Sequence, residues 1–398
     1  MRWIGQVLAG AGRGEPYRIF FPFGAAVGMV GVMLWPVFVV GWLDGYPGVL
    51  HARMMVQGFV FCFMAGFLLS ALPHMLEVKG PTLRESGGML FLVAMVQGLH
   101  LGGQTAWADG LFAVSVGVLA WLGLRRWRER ADLPPPGFAL AGLGLVAGMT
   151  GSGILAASTI GEIPAWWTVF AKNLLYHGMI LFPVLGVGAY LLPRMVGVPN
   201  RHLIAPKSAR VSRAWMVRAG FMLVCGVVLL GSFGLEASGS IRAAYIVRSA
   251  AAIICLLHEA PLFRTPGIRG SIPWALVLSV VSIFSGLAAI AVWPERLMTY
   301  AHLFFISGYG LLILNIAARV MLGHSGSAEL IYARSTAANW ITGLVFLTMA
   351  TRISADLLPR MMWSHYAYAG ITWGVVTIVW LAVYGPLAGI QPNQEKGT

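Results

Sequence analysis

The chain has few charged residues for its length, and this scarcity indicates its class. Of 398 residues only 10% are charged, while 58% are hydrophobic; a soluble domain has roughly 25% charged residues. Apolar runs of about 20 residues, the length that spans a bilayer, occupy nearly the whole chain. The sequence therefore predicts an all-α, polytopic membrane protein that forms a single transmembrane domain over residues 1–398.

Cysteine is scarce as well, and its placement excludes several kinds of site. The three cysteines stand singly inside apolar runs, with no CxxC or CxxCH motif. This pattern argues against a disulfide framework, a structural zinc site and a covalently attached c-type haem. The net charge of +13 would suit nucleic-acid binding in a soluble protein. Basic loops at one membrane surface explain it better, and we expect no nucleic-acid partner.

Two further features are missing from the sequence. No cleavable signal peptide is evident, because the first apolar run lacks a small-residue cleavage site and further spans follow it. No chain of acidic residues is evident within the apolar runs, which argues against a built-in proton path. We therefore expect a retained first helix and no obvious route for protons.

The apolar runs predict about twelve spans, with the lipid bilayer as the main partner. They cover residues 19–42, 50–73, 87–105, 107–124, 137–159, 165–193, 214–236, 240–258, 271–292, 299–321, 336–356 and 365–389. Basic residues gather in every second connection, whereas the others hold Asp44, Asp109, Glu162, Glu236, Glu295 and Asp356. By the positive-inside rule, both termini are expected in the cytoplasm.

With this topology the nine histidines fall into layers. An outer layer contains His51, His100, His302 and His365, and His177 lies near the middle of the sixth span. An inner set contains His74, His258 and His324, while His202 lies in a basic loop. Neutral imidazole binds iron and copper well, so the outer layer and His177 are candidate metal ligands; rim histidines can also simply cap helices or bind headgroups.

Methionine and tyrosine extend this pattern. Met54 and Met55 follow His51 by three and four residues, and similar spacings link Met298 to His302 and Met361 to His365. Thioether and imidazole together suit Cu(I), although methionine also fills gaps in apolar cores. Tyr309 follows His302 by seven residues, which places it on the same face of a regular helix. Its hydroxyl could therefore donate to a bound ligand or merely pack.

Three segments resemble the NnrS family of bacterial haem- and copper-containing membrane proteins associated with denitrification and nitric oxide stress. They are residues 17–21 (YRIFF), residues 50–59 (LHARMMVQGF) with 65–73 (AGFLLSALP), and the late segment from His302 to residues 318–326 (ARVMLGHSG). The family's second-span motif is similar to W-H-x-H-E-M-x-x-G-F. Its late motif is similar to H-x-x-x-x-G-x-x-G followed by R-x-x-L-G-H-[TS]-G.

The resemblance implies particular site residues. His51 and His302 match the first and the late histidine, and Gly310, Arg319, His324 and Gly326 match the rest of the late motif. Ser307 replaces its first glycine, and Arg53 and Met54 stand where the family has its second histidine and a glutamate. A metal site that needs that second histidine, copper above all, would be incomplete here.

What the resemblance implies for function is a b-type haem held by His51 and His302 in the bacterial inner membrane. By the same likeness Arg319 and His324 would contact the cofactor, although Arg319 could instead snorkel to the inner surface. From their positions in the spans, His177, His100 and His365 are the candidates for copper, and Tyr309 is a candidate donor to a bound ligand. The protein would take part in nitric oxide metabolism or tolerance of nitrosative stress, binding NO or another diatomic gas. Catalytic turnover and the redox partner are left open.

The layout also resembles subunit I of haem-copper oxidases, with twelve spans and histidines at the outer ends of an early and a late helix. This chain has no His-His pair, and Tyr176 is adjacent to His177 instead of one helical turn away. A complete oxygen-reducing site is therefore not expected. Two alternatives remain: a divergent quinol-linked oxidoreductase that reduces NO or oxygen, and a transporter or assembly factor for haem, copper or a small substrate.

Overall fold

The computed structural model describes residues 2–195, 207–260 and 268–390. It is 85% helical, and the described residues contain no β-strand. A short amphipathic helix, α1 (Arg2–Gly12), precedes twelve long helices. These are α2 (Tyr17–Val39), α3 (Gly48–Met75), α4 (Leu83–Leu101), α5 (Thr105–Glu129), α6 (Phe138–Ile160), α7 (Ala165–Met195), α8 (Arg213–Ala237), α9 (Ile241–Glu259), α10 (Ser271–Val292), α11 (Pro294–His324), α12 (Thr336–Leu357) and α13 (Pro359–Gly389).

The predicted all-α, polytopic architecture is confirmed, and each predicted span falls on one of these twelve helices. Ten helices in the described part of the chain are long and apolar enough to cross a membrane. The other two, α4 and α12, are long enough but have a lower mean hydropathy. Arg84 and Glu85 open α4, and Arg352 and Asp356 lie near the end of α12. These charges lower the hydropathy of the two helices.

Successive long helices run in opposite directions, so their connections alternate between two ends of the bundle. We call these the His51 end and the basic end. The connections at residues 40–47, 102–104, 161–164 and 238–240 lie at the His51 end, and those at 76–82, 130–137 and 325–335 lie at the basic end. At the basic end, Glu85 accepts hydrogen bonds from Arg125 at 2.6 Å and from Arg126 at 2.9 Å.

Helices α3, α7 and α11 form the centre of the bundle. Of the ten apolar helices they are the three most buried within the described structure. They also recur every fourth helix, so the chain divides into three consecutive groups of four helices, α2–α5, α6–α9 and α10–α13. The sequence did not reveal this repetition, because the three groups share an arrangement of helices and no obvious motif.

Small residues allow the close approach that positions α7. Gly144, Gly148 and Gly151 lie on one face of α6, where a Cβ atom at Gly148 would stand 2.6 Å from the sulfur of Met179. A Cβ atom at Gly151 would stand 2.7 Å from the carbonyl oxygen of Ala171. Contact between helices through small residues is a usual packing mode in membranes. It fixes the segment of α7 that carries His177.

Candidate functional site

His51 and His302 both lie at the His51 end, and backbone carbonyls hold both imidazoles. His51 Nδ1 lies 2.9 Å from the carbonyl oxygen of Gly31 on α2. His302 Nδ1 lies 2.6 Å from the carbonyl oxygen of Met298, one turn earlier on α11. A neutral ring that donates from Nδ1 keeps the lone pair on Nε2. Each histidine therefore presents Nε2 as a free ligand atom, with the outer hydrogen bond that metal-binding histidines usually have.

The two imidazoles lie at the same end of the bundle and within electrostatic range of each other. Arg352 interacts electrostatically with both His51 and His302. Both histidine side chains are only half-buried, so a bound group can reach their Nε2 atoms. The structure thus brings together the two histidines that the sequence proposed as a ligand pair.

A glycine on α2 makes the contact to His51 feasible. A Cβ atom at Gly31 would lie 3.2 Å from the Cβ of Met54 and 3.3 Å from the sulfur of Met55. Without a side chain at Gly31, α2 approaches α3 closely enough for its carbonyl oxygen to meet the imidazole. Close backbone approach of this kind is a usual role of glycine in helix pairs.

A rigid cation forms one side of the imidazole pair. Arg352 lies 2.8 Å from the carboxylate of Asp356 and stacks 4.3 Å above the ring of Tyr366. The Tyr366 hydroxyl donates to Asp356 at 2.7 Å. Trp35 lies 4.8 Å from the Tyr366 ring and 5.8 Å from the His51 ring, both measured between centroids. These contacts hold the guanidinium beside the histidines.

Each central helix contains a segment of π-helix close to its histidine. The segments are Met54–Val60 just after His51, Leu174–Gly178 around His177, and Leu303–Gly310 just after His302. A π-helical turn inserts an extra residue and rotates the side chains that follow, and such turns occur often at functional sites. Their presence on all three histidine-bearing central helices marks this level of the bundle as the candidate site.

His177 lies in an interior cluster with three other buried residues, Tyr245, Phe304 and Arg248. Its Nε2 lies 3.4 Å from the Tyr245 hydroxyl, and its ring centroid lies 5.1 Å from that of Phe304. Arg248 stacks 4.3 Å above the Tyr245 ring and donates to Glu236 at 2.7 Å. Since Phe304 is two residues from His302, roughly 3 Å along α11, the His177 cluster lies about half a turn from the level of His302, toward the basic end.

Tyr309 faces the His177 cluster. Its ring contacts Phe304 and Phe305, with centroids 5.8 and 5.9 Å apart, and its hydroxyl interacts electrostatically with Tyr245 and Arg248. A seven-residue spacing predicted a common face with His302 on a regular helix. The π-helical segment between the two residues changes this phase.

His100 belongs to a different buried network. His100 Nε2 lies 2.7 Å from Gln57 Oε1, and Gln57 Nε2 donates to Asp109 at 2.6 Å. Arg53 binds the same carboxylate through Nε at 3.0 Å and Nη2 at 2.7 Å. Ser152 donates to the Asp109 carbonyl oxygen at 2.8 Å. The network links α3, α4, α5 and α6.

The sequence placed Asp109 and Glu236 among the acidic residues of connecting loops and found no acidic chain within the spans. The structure corrects the placement in connecting loops, because both carboxylates lie within helices. Asp109 is fully buried inside α5, and the Glu236 side chain is nearly buried near the end of α8. Each is neutralised by an arginine on a neighbouring helix, which makes burial of the carboxylate tolerable.

The remaining candidates lie apart from the imidazole pair. His365 Nδ1 lies 2.9 Å from the Ser354 hydroxyl, between α12 and α13. Arg319 is half-buried in the basic half of α11. His324, 22 residues after His302 and so roughly 33 Å along the helix, packs against Tyr17 with ring centroids 5.1 Å apart. His202 lies outside the described residues.

The copper candidates are distributed over separate clusters. His100, His177 and His365 each lie with different partners, as described above. Within residues 2–195, 207–260 and 268–390, no three His, Cys, Asp or Glu side chains form a group that could hold a metal ion. Met298 and Met361 are exposed by 64% and 51%. Their side chains therefore do not form a buried sulfur site next to the imidazole pair.

Sequence reasoning missed several charged residues near the histidines, although the spacing of some of them in the sequence could have indicated their role. Arg352 and Asp356 are four residues apart on one apolar helix, a spacing that makes an ion pair on a shared face. Charged residues inside membrane spans are costly and usually have a partner. Arg53 and Arg248 could have been recognised as functional or paired on that ground, but their partners lie on other helices.

The fold and the site define a class: a multi-pass, helical membrane protein with two imidazoles at one end of the bundle, each anchored through Nδ1 to a backbone carbonyl. Comparison with known families is more specific. The sequence profile of the NnrS protein family matches residues 13–389, and the chain belongs to this family. Membership makes it a membrane protein linked to nitric oxide responses. Among curated proteins no sequence matches the chain.

Proposed function

We propose that the protein binds b-type haem between His51 and His302 and acts in nitric oxide metabolism or tolerance by binding NO. The observation that carries this proposal is the pair of imidazoles at the same end of the bundle, each anchored through Nδ1 and free at Nε2. Neutral imidazole is a common axial ligand of haem iron. Bound haem would supply electron exchange and affinity for NO.

The residues around the pair suit such a cofactor. The carbonyls of Gly31 and Met298 orient the two rings and fix which nitrogen is protonated. Trp35 and Tyr366 offer flat apolar surfaces beside His51. Arg352 supplies a positive charge for an acidic substituent such as a haem propionate. Arg319 and His324, the residues implied by resemblance, would act at the basic end instead.

The charge distribution supports an orientation in the bacterial inner membrane. Clustered arginines at the basic end, among them Arg125, Arg126, Arg128 and Arg130, are typical of a cytoplasmic surface. Both termini would then be cytoplasmic, and the His51 end would face outward. Copper bound through His177, His100 or His365 would be a second metal, separate from the imidazole pair.

A quinol-linked oxidoreductase is the second candidate, and one observation favours it. Asp109 with Arg53, and Glu236 with Arg248, place buried acidic groups at the level of the histidines. Proton transfer in membranes commonly uses such intramembrane carboxylates. The candidates differ in whether NO is consumed continuously or bound once.

Nitric oxide uptake distinguishes them. We expect purified protein in detergent, reduced and supplied with quinol, to take up NO in a fixed ratio to haem and then to stop. The measurement is NO concentration at an electrode, with His51→Ala protein as the matched control. Steady consumption that requires quinol would contradict the binding proposal and favour the oxidoreductase. If the protein neither takes up nor consumes NO, a transporter or assembly factor is the remaining candidate.

Replacement of Arg352 tests the cationic side of the site. We expect Arg352→Gln to lower the midpoint potential of the bound haem by on the order of tens of millivolts, because loss of a nearby positive charge favours the oxidised state. Redox titration measures the shift. Arg360→Gln changes an exposed arginine at the same end and should leave the potential unchanged. Equal midpoint potentials in the two variants would contradict the placement of Arg352 beside the haem.

A further inference from the structure

A cavity lies among the central helices, toward the basic end from the imidazole pair. It measures about 110 Å³ and lies among α2, α3, α7 and α11. Its walls include Phe63, Phe67, Val184, Gly188 and Ile313, and every other lining residue is apolar too. No residue lining it is charged, and none has a polar side chain that could hold a ligand by hydrogen bonds.

The chemistry of these walls restricts the occupant. A buried water needs two to four polar partners, which this lining does not provide, whereas dry apolar cavities of about 150 Å³ bind benzene or xenon. A charged or strongly polar molecule would lose its hydration without compensation. A volume of about 110 Å³ suits small apolar occupants. Small apolar molecules, including dissolved gases, remain.

The cavity is well placed to exchange such molecules with the membrane. Val60 in its lining follows His51 by nine residues on α3, and Leu312 follows His302 by ten on α11. These separations put the cavity roughly 14 to 15 Å along the helices from the imidazoles, at a depth within the apolar part of the bundle. Apolar solutes favour that environment over water.

Aromatic side chains occupy the space between cavity and histidines. Phe63 lines the cavity, and its ring lies 5.0 Å from that of Phe59, one turn closer to His51. Phe59 in turn contacts Trp373 of α13, with centroids 5.8 Å apart. Any passage from the cavity toward the imidazole pair would therefore run along an apolar, aromatic path on α3.

We propose that this cavity is a binding site for a small apolar gas, nitric oxide in particular, taken up from the membrane. The identity of the gas rests on the proposed function, whereas the binding of a small apolar gas does not. The central helices thus combine two sites: an apolar site for gas in the basic half, and the imidazole pair at the His51 end.

Xenon provides a direct probe, because it is apolar, similar in size to small gases and independent of haem. We expect saturable xenon binding to the detergent-purified protein, observed as a concentration-dependent ¹²⁹Xe chemical shift. Gly188→Leu should abolish it, because a Cβ atom at Gly188 has only an ordinary contact with Leu192 at 3.4 Å and a longer side chain would occupy the cavity. Val184→Phe is a second cavity-filling variant, for use if the first fails to fold.

A matched glycine provides the control. Gly142 is exposed on α6, with nothing within 4 Å of an added Cβ atom, so Gly142→Leu should bind xenon like the unchanged protein. Absence of saturable xenon binding, or equal binding by the cavity-filling variants, would overturn the proposal. Xenon binding that Gly188→Leu abolishes, in protein that carries no haem, would uphold the gas site while the proposed haem function failed.

Discussion

Asp109→Ala is expected to lower the free energy of unfolding by about 3–5 kcal/mol, the usual cost of removing one partner from a buried ion pair. Asp109 is fully buried and accepts hydrogen bonds from Arg53 and Gln57. Without its carboxylate, the guanidinium of Arg53 would stay buried and unneutralised. Thermal unfolding in detergent, followed by circular dichroism or tryptophan fluorescence, measures the change.

Two further variants separate charge pairing from loss of side-chain volume. Asp44→Ala removes an exposed carboxylate at the same end and should change stability by less than about 0.5 kcal/mol. The double variant Arg53→Met with Asp109→Leu should recover most of the loss, because apolar replacement of a whole buried pair is often neutral or stabilising. Equal stability of Asp109→Ala and Asp44→Ala would contradict this account of the network.

The second large effect concerns the imidazole pair. Both His51→Ala and His302→Ala should lower the haem-to-protein ratio by more than about tenfold, because even the outer partners of metal-binding histidines are worth 10–100-fold in affinity. The ratio is measured on purified protein by the pyridine haemochrome method. His258→Ala provides the control, since His258 is half-exposed and lies near the basic end of α9.

Retention of haem by both alanine variants would contradict the assignment of the ligands. Loss in only one of them would identify a single axial histidine. Circular dichroism of each variant establishes that the helices are intact, so that haem loss is not a result of misfolding.

The fold was largely accessible from the sequence, because apolar runs of bilayer length are a strong local signal. All twelve predicted spans correspond to helices. The candidate pair His51 and His302 came from their position at the ends of two spans together with the resemblance to the NnrS family. Boundaries were less accurate: α4 and α5 begin and end at other residues than predicted. Asp109 therefore moved from the rim of a span to a buried position inside α5.

The polar networks could not be read from the sequence. Arg53 and Asp109 are 56 residues apart, and Arg248 reaches Glu236 across a helical hairpin. Such partners are determined by how helices pack, and a single sequence contains no direct signal for that packing. The same limit applies to Arg352, whose position beside two histidines on other helices follows only from the folded bundle.

The π-helical segments had no signal in the apolar pattern. The π-helical segment Leu303–Gly310 begins just after His302 and includes Tyr309. Regular helix geometry therefore gave the wrong relative direction for these two side chains. Segments of this kind depend on tertiary contacts and often mark functional positions. Their occurrence beside His51, His177 and His302 is the clearest structural sign of function that the sequence did not provide.

One spectrum tests the central claim most directly. The protein is purified in detergent from haem-replete cells, and a reduced-minus-oxidised visible spectrum is recorded with and without NO. We expect the bands of a low-spin b-type haem, changed by NO, and absent from His51→Ala and His302→Ala protein. A featureless spectrum from well-folded protein would contradict haem binding and leave the imidazole pair as a structural or transport feature.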